Sequence, residues 1–153
     1  SYLCHTPGIV VVCPSSVEDA AGLLDAALRS DQPVIFLYPK NLLNQVSGIA
    51  EGPRQISHVS LGKARIVEDG NDLTLVGWGN MIPLFVEVRQ ALSTVGRSVE
   101  ILDLRTLSPW DVEAVRTSVL KTRRLIVAHE DNRSCGLAAE IIATVTEGLG
   151  NAR

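Results

Sequence analysis

Three stretches of this 153-residue sequence place chemically useful residue types directly after apolar runs. They are residues 77–80 (Gly-Trp-Gly-Asn), residues 103–109 (Asp-Leu-Arg-Thr-Leu-Ser-Pro) and residues 129–133 (His-Glu-Asp-Asn-Arg). In open α/β sheets, ligands bind beyond the carboxyl ends of the strands. If the apolar runs are strands, these three stretches are the first candidates for a functional site.

The glycine pair of the first stretch has two interpretations. Two glycines between a strand and a helix could let the backbone approach a phosphate group. The full Gly-x-Gly-x-x-Gly spacing is absent, however, because Met81, Ile82 and Pro83 follow. The alternative is a tight strand–helix turn, for which glycine is suited by its conformational freedom.

The charged residues of the other two stretches also leave alternatives open. Asp103 and Arg105 lie on one face if the strand continues, so they could clamp a ligand or a neighbouring chain, or form a local ion pair. His129 beside Glu130 could do acid–base work, but adjacent strand residues point to opposite faces. An interface or loop-fixing role is favoured for the histidine. We therefore predict an interface that includes Asp103, Arg105, His129 and Glu130.

The first part of the chain is predicted to be a strand, a helix and a second strand. Residues 9–13 (Ile-Val-Val-Val-Cys) and 34–38 (Val-Ile-Phe-Leu-Tyr) are short apolar runs typical of buried strands. Residues 15–19 (Ser-Ser-Val-Glu-Asp) form a capping-box pattern that starts a helix, and Pro33 stops it. This order predicts a parallel crossover.

The remainder is predicted to form an α/β domain after a long connection. Residues 39–63 show no strong period, so a domain boundary is placed near residue 62. Residues 108–111 (Ser-Pro-Trp-Asp) predict a helix start with Pro109 in its first position. Strands and helices then alternate, which predicts a three-layer, doubly wound, mostly parallel sheet. The predicted elements are strand 73–77, helix 81–95 with Gly96 as its left-handed cap, strand 99–104, helix 108–122, strand 125–128 and helix 137–146.

Composition limits the function classes. Hydrophobic residues make up 46% of the chain, which is enough for a core and excludes disorder. The net charge of −3 argues against nucleic acid as a partner. No apolar run approaches the ~20 residues of a membrane helix, and no signal peptide is visible. Cys4, Cys13 and Cys135 lack a metal-binding spacing, so they are interpreted as reduced thiols in a cytosol-like compartment.

Several segments together resemble one protein family. Residues 5–15 (His-Thr-Pro-Gly-Ile-Val-Val-Val-Cys-Pro-Ser) look like its His-x-Pro-Gly segment, and residues 61–64 (Leu-Gly-Lys-Ala) resemble its linker. Residues 72–79, 99–109 and 127–130 match the family in the same order. The family is the β subunit of the thiamine-diphosphate-dependent 2-oxoacid dehydrogenases (pyruvate, branched-chain and acetoin types), in the transketolase-like superfamily.

The resemblance implies two incomplete domains. Residues 1–62 resemble the second half of a pyrimidine-binding α/β domain plus a linker, and residues 63–153 resemble a truncated transketolase C-terminal-like domain. It also implies that the glutamate acting on thiamine diphosphate lies upstream, and that the α subunit or region holds the diphosphate and its magnesium. We therefore expect no catalytic or cofactor-binding residue in this chain, and no cofactor bound by this chain alone.

One metal site is implied by the same resemblance. Related subunits bind potassium through backbone carbonyls at the end of the helix before the second strand, which corresponds here to residues 27–33 (Ala-Leu-Arg-Ser-Asp-Gln-Pro). The ligands would be Ala27, Leu28, Ser30 and Gln32, in a region made electronegative by the helix C-terminus. The alternative is a plain helix stop before Pro33.

The implied parent enzyme decarboxylates a 2-oxoacid and transfers the acyl group to lipoyl. The fragment itself is expected to be inactive, to serve subunit assembly and to expose apolar patches. The implied partners are a dehydrogenase α subunit or region, a second β subunit and the dihydrolipoyl acyltransferase core, with no nucleic acid or membrane. The expected compartment is the cytoplasm, or the mitochondrial matrix in a eukaryote. The alternatives are a transketolase or deoxyxylulose-phosphate synthase fragment, or a non-catalytic interaction module.

Overall fold

A computed structural model describes residues 2–43 and 58–150 of the chain. Among those residues, no helix combines the length and the apolar character needed to cross a membrane. The elements in chain order are a 3-10 helix Tyr2–His5, β1 Val10–Val12, α1 Val17–Leu28, β2 Val34–Phe36, α2 Lys40–Leu43, β3 Arg65–Glu68, β4 Leu73–Gly77, α3 Met81–Ser93, β5 Val99–Asp103, β6 Thr106–Ser108, α4 Val112–Thr122, β7 Leu125–Val127 and α5 Leu137–Gly150.

The larger sheet has four strands in the order β3-β5-β4-β7. β4 lies between β5 and β7 and is parallel to both, whereas β3 is an antiparallel edge strand. Helix α3 packs on one face, where Phe85 contacts the cluster around Leu75. Helices α4 and α5 pack on the other face, where Val115 and Ile141 meet Val76. The three-layer, doubly wound, mostly parallel arrangement predicted from the sequence is confirmed.

The smaller sheet has three strands in the order β2-β1-β6. β1 is parallel to β2, as the predicted crossover requires, and antiparallel to β6. The two faces of β1 have different neighbours: Val10 and Val12 pack with Leu23 of α1, whereas Val11 packs in the same cluster as Val76 of the larger sheet. One apolar core therefore extends across both sheets. The domain boundary near residue 62 stays a prediction.

Two expectations about local structure are wrong. The helix predicted to start at Ser108–Pro109 begins at Val112, and Asp111 caps it by accepting a hydrogen bond from the Ala114 N–H at 3.2 Å. Strands β3 and β6 were missed because three or four residues at a sheet edge give no usable period. Within the predicted connection 39–63, residues 40–43 form α2 and residues 44–57 lie outside the described residues.

The start of α1 follows the predicted capping pattern. Ser16 has an extended backbone (φ −142°), and its hydroxyl oxygen accepts a hydrogen bond from the Asp19 N–H at 3.1 Å. This contact satisfies one of the amides left unpaired at a helix start. It also fixes Asp19, which is only 3% exposed, so that its carboxylate points toward the larger sheet.

Four charged side chains, named here the ion cluster (Asp19, Arg65, Asp103, Arg105), join the two sheets. The carboxylate of Asp19 accepts from Arg105 Nη1 at 3.2 Å and from Arg65 Nη2 at 2.8 Å. Arg65 Nη2 also lies 3.6 Å from Asp103 Oδ2, and Asp103 is fully buried. Two acids and two bases balance in charge, which is the condition for keeping ionised groups away from water.

Hydrogen bonds attach this cluster to the surrounding backbone. Arg105 Nη2 donates to the Lys63 carbonyl at 3.0 Å, and the Arg105 N–H donates to Asp103 Oδ1 at 3.1 Å. The Ser15 hydroxyl donates to Asp103 Oδ2. Arg105 has a left-handed backbone (φ 56°) that ends the line of β5 and turns its side chain toward Asp19. The sequence left open a direct ion pair between Asp103 and Arg105. In the structure the Asp103 side chain instead contacts Arg65 and Ser15, whereas the Arg105 side chain contacts Asp19.

The environment of Asp103 changes its titration. The pKa of Asp103 is raised from its usual 3.8 to about 6, mainly by burial and also by the neighbouring Asp19, against the lowering effects of the Ser15 hydrogen bond and Arg65. Because the folded pKa lies above the unfolded one, the stability contributed by Asp103 is complete below pH 3.8. It is lost as the pH rises through about 6.

An Asp103→Asn variant should reveal this linkage. We expect the free energy of unfolding of the wild type, relative to the variant, to fall by up to about 3 kcal/mol between pH 4 and pH 7, because only the wild type must ionise a buried carboxyl. Urea unfolding at a series of pH values measures the difference. Ser15→Ala should move the midpoint to higher pH, since Ser15 stabilises the carboxylate. A pH-independent difference would contradict the assignment.

Candidate functional site

The strongest candidate site is a cavity of about 420 Å³, named here the strand-end cleft, at the carboxyl ends of strands from both sheets. From the smaller sheet it is lined by Cys13 after β1 and by Tyr38 and Pro39 after β2. From the larger sheet it is lined by Trp78, Gly79 and Asn80 after β4, and by Glu130 and Asp131 after β7. This is the position at which open α/β sheets bind ligands.

The floor of the strand-end cleft depends on a glycine. Gly79 has a positive φ of 54°, and a Cβ placed on it would lie 2.9 Å from Pro39 Cγ and 3.0 Å from Cys13 Sγ. A side chain at this position would therefore separate the ends of β1, β2 and β4. The tight-turn interpretation of the glycine pair accounts for this packing.

Trp78, which lines one wall of the cleft, is part of an aromatic stack. The rings of Trp78 and His129 lie with centroids 5.5 Å apart and planes 17° from parallel. His129 Nδ1 accepts a hydrogen bond from the Asp131 N–H at 3.1 Å, and Gly136 is so close that an added Cβ would lie 2.7 Å from His129 Cε1. The imidazole is thus fixed by stacking and by its own loop, as the loop-fixing alternative proposed.

The Glu130 side chain is hydrogen-bonded to the loop that follows β4. Its Oε2 accepts a hydrogen bond from Asn80 Nδ2 at 2.8 Å, so Glu130 and His129 do not form a catalytic dyad. The Oδ1 atom of Asn80 is buried and has no hydrogen-bond donor among the described residues. Asn80 is the residue before α3 and makes no side-chain cap of that helix. One acceptor in the wall therefore lacks a partner.

The thiols at the cleft are protonated at neutral pH. Burial, together with the nearby carboxylates of Asp103 and Glu130, raises the pKa of Cys13 to about 12. Burial raises the pKa of Cys4, which also lines the cleft, against the lowering effect of the N-terminal charge. A thiol in this state is a poor nucleophile. The effect of Asp103 and Glu130 indicates a negative electrostatic potential at Cys13.

The four residues predicted to form an interface are divided between two places. His129 and Glu130 lie beside the strand-end cleft, and the Glu130 side chain is exposed. Asp103 and Arg105 lie in the ion cluster, where their contacts are within the chain. The role of these residues in contacting another chain stays a prediction.

The predicted potassium segment is a regular helix end in this structure. The Ala27 carbonyl accepts from the Ser30 N–H at 3.2 Å, the Ser30 hydroxyl oxygen accepts from the Gln32 N–H at 3.1 Å, and Leu28 is 79% exposed. Bound potassium at Ala27, Leu28, Ser30 and Gln32 stays a prediction. Among the described residues, no group of three His, Cys, Asp or Glu side chains could hold a metal ion.

Sequence patterns did not predict that the ends of both sheets would line one cleft. The strand ends predicted as candidate sites all lie in the second half of the chain. Cys13 and Tyr38-Pro39 lie at the ends of two further predicted strands, and this position is the signal that identifies them. The sequence around each strand does not indicate how close the two sheets lie to each other, because this distance depends on contacts between residues more than 80 positions apart.

Comparisons with known proteins identify the domains. Residues 62–152 match the family model of the transketolase C-terminal domain, and residues 1–45 match that of the transketolase pyrimidine-binding domain. A solved structure described as "Split gene transketolase, inactive beta4 tetramer" superposes with a TM-score of 0.79, covering 95% of this chain and 46% of that one. At 23% identity, this likeness shows the fold alone.

Curated relatives have higher identity. The β subunit of mitochondrial 2-oxoisovalerate dehydrogenase from Dictyostelium discoideum is 46% identical over 96% of this chain and 40% of its own length. The pyruvate dehydrogenase E1 component β subunit from Acholeplasma laidlawii is 42% identical over 92% of this chain and 42% of its own length. The chain thus spans about two fifths of these relatives. From these matches, the chain belongs to the transketolase C-terminal domain family and carries transketolase pyrimidine-binding sequence at its start.

Proposed function

We propose that this chain is part of the β component of a thiamine-diphosphate-dependent 2-oxoacid dehydrogenase and that this part serves subunit assembly. The parent enzyme would decarboxylate a 2-oxoacid and transfer the acyl group to a lipoyl carrier. The observation that carries the proposal is the 46% identity over 148 residues to a 2-oxoisovalerate dehydrogenase β subunit. A transketolase fragment is less well supported, because the likeness to the solved transketolase is 23% identical.

The geometry of the described residues supports assembly rather than chemistry. The thiols of Cys4 and Cys13 are protonated, and the His129 imidazole is held by Trp78 and by its own loop. The buried carboxylates of Asp19 and Asp103 are already paired with arginine in the ion cluster. No described group is thus arranged as a nucleophile or as a general acid–base pair.

The described residues do not fit the magnesium diphosphate group of the cofactor. A magnesium ion prefers oxygen ligands, mostly carboxylates and water, in octahedral geometry. The buried acids Asp19 and Asp103 face arginine side chains instead of an open coordination position. Under this proposal, other parts of the parent enzyme hold thiamine diphosphate and magnesium.

Exposed apolar side chains mark where partners would bind. Leu24 and Leu28 of α1 are 43% and 79% exposed, and Tyr38 after β2 is 49% exposed. Exposed apolar groups on neighbouring elements are typical of surfaces covered in an assembly. The partners proposed are a dehydrogenase α subunit or region, a second β subunit and the dihydrolipoyl acyltransferase core. The compartment proposed is the cytoplasm or, as for the Dictyostelium relative, the mitochondrion.

The isolated chain should be inactive. We expect no carbon dioxide release from a branched-chain 2-oxoacid or pyruvate when the purified chain is supplied with thiamine diphosphate and magnesium, because no described residue is arranged to activate the cofactor. A complete 2-oxoacid dehydrogenase component in the same assay is the positive control. Turnover by the 153-residue chain would show that its own residues carry the catalysis.

The apolar end of α1 should contribute to partner binding. We expect the immobilised chain to retain a dehydrogenase α subunit, and Leu28→Asp to weaken retention about tenfold, because it places a charge in an apolar contact. Val95→Asp is the matched control, since Val95 is 69% exposed in the connection after α3. Failure of the wild type to retain the subunit, or equal retention by both aspartate variants, would contradict the assembly role.

A further inference from the structure

The strand-end cleft presents hydrogen-bond acceptors and negative charge. Glu130 and Asp131 are exposed at its edge. None of its lining residues, all of which are described, is Lys, Arg or His. A cavity with acceptors, carboxylates and no basic side chain is complementary to a group that carries positive charge and several donors.

Electrostatics inside the cleft agree with this complementarity. Beyond the effect of burial, Asp103 and Glu130 raise the pKa of the Cys13 thiol. Negative charge therefore acts at the Cys13 side of the cleft. A cation there would be stabilised by Glu130, whose negative potential disfavours the Cys13 thiolate.

The N-terminus of α3, next to Asn80, has the opposite polarity because helix N-termini favour anions. The Glu130 carboxylate already approaches this end of the helix through its hydrogen bond to Asn80 Nδ2. The helix end thus helps to hold Glu130 in place.

The shape of the lining favours a planar cation. Trp78 is half-buried in the wall with its ring stacked on His129, and Tyr38 is 49% exposed with its ring 4.6 Å from that of Phe36. Both rings are held by a neighbouring ring and are therefore fixed in orientation. Guanidinium groups stack on aromatic faces and present five donors in a plane, whereas an ammonium is a compact point charge.

We propose that the strand-end cleft binds an arginine side chain of a partner polypeptide, with the guanidinium paired to Glu130 beside Trp78 and Tyr38. The choice of a polypeptide over a free small molecule rests on the proposed assembly function. The recognition of the guanidinium itself rests only on the lining of the cleft.

The test uses the full 153-residue chain with Trp110→Phe, which leaves Trp78 as its one tryptophan. The probe is the capped peptide Gly-Arg-Gly, titrated while the fluorescence of Trp78 is recorded. We expect a saturable change with the arginine peptide and none with the same peptide carrying citrulline, which keeps the shape of arginine and lacks its charge. Glu130→Gln should weaken binding about fivefold. The control Glu113→Gln, an acid of α4 that is 77% exposed and outside the cleft, should leave binding unchanged.

Three outcomes would overturn the proposal. Equal responses to the arginine and citrulline peptides would exclude recognition of charge, and unchanged affinity in Glu130→Gln would exclude the assigned acid. Binding of free agmatine without binding of the peptide would exclude a polypeptide as the source. Because the titration uses no partner subunit, its failure is distinguishable from a failure of the α subunit to bind the chain.

Discussion

The contact between Asp19 and Arg105 is the interaction on which the rest of this structure depends. It joins residues 86 positions apart and brings the start of α1 against the turn between β5 and β6. Both side chains are largely buried, at 4% and 11% exposure, so neither charge is screened by water as a surface pair would be. Removing one partner of such a pair leaves a buried charge uncompensated, which typically costs about 3–5 kcal/mol.

The contact between Asp19 and Arg105 also positions the strand-end cleft, because the backbone of Arg105 is hydrogen-bonded to the end of β1. The carbonyl of Arg105 accepts a hydrogen bond from the Cys13 N–H at 2.8 Å, and the Leu104 N–H donates to the Gly77 carbonyl at 3.0 Å. The end of β1 is thereby held beside the end of β4, and Gly79 can pack against Cys13 at the cleft floor. The ion cluster, the shared apolar core and the cleft are therefore parts of one arrangement, and the assembly function proposed here uses its outer surfaces.

The sequence predicted most of the regular elements and few of the contacts between them. Strand β4 was predicted at its observed bounds, because a buried parallel strand is a continuous apolar run. Strand β6 was missed because three residues carry no period, and the helix start at Pro109 was wrong because Thr106–Ser108 pair with β1 instead. The Asp103 and Arg105 stretch was recognised as chemically significant, but their partners Ser15, Asp19 and Arg65 have no local relation to them in the sequence.

Amide hydrogen exchange of an Arg105→Met variant tests the dependence of the fold on the ion cluster most directly. The variant keeps the length of the side chain and removes its charge, and Arg29→Met, at a position 77% exposed, is the control. We expect faster exchange in residues 10–12 and 106–108, while residues 73–77 keep their protection, because the smaller sheet loses its attachment and the core of the larger sheet does not. Exchange in residues 10–12 and 106–108 as slow as in the wild type would show that the two sheets are held together without this contact.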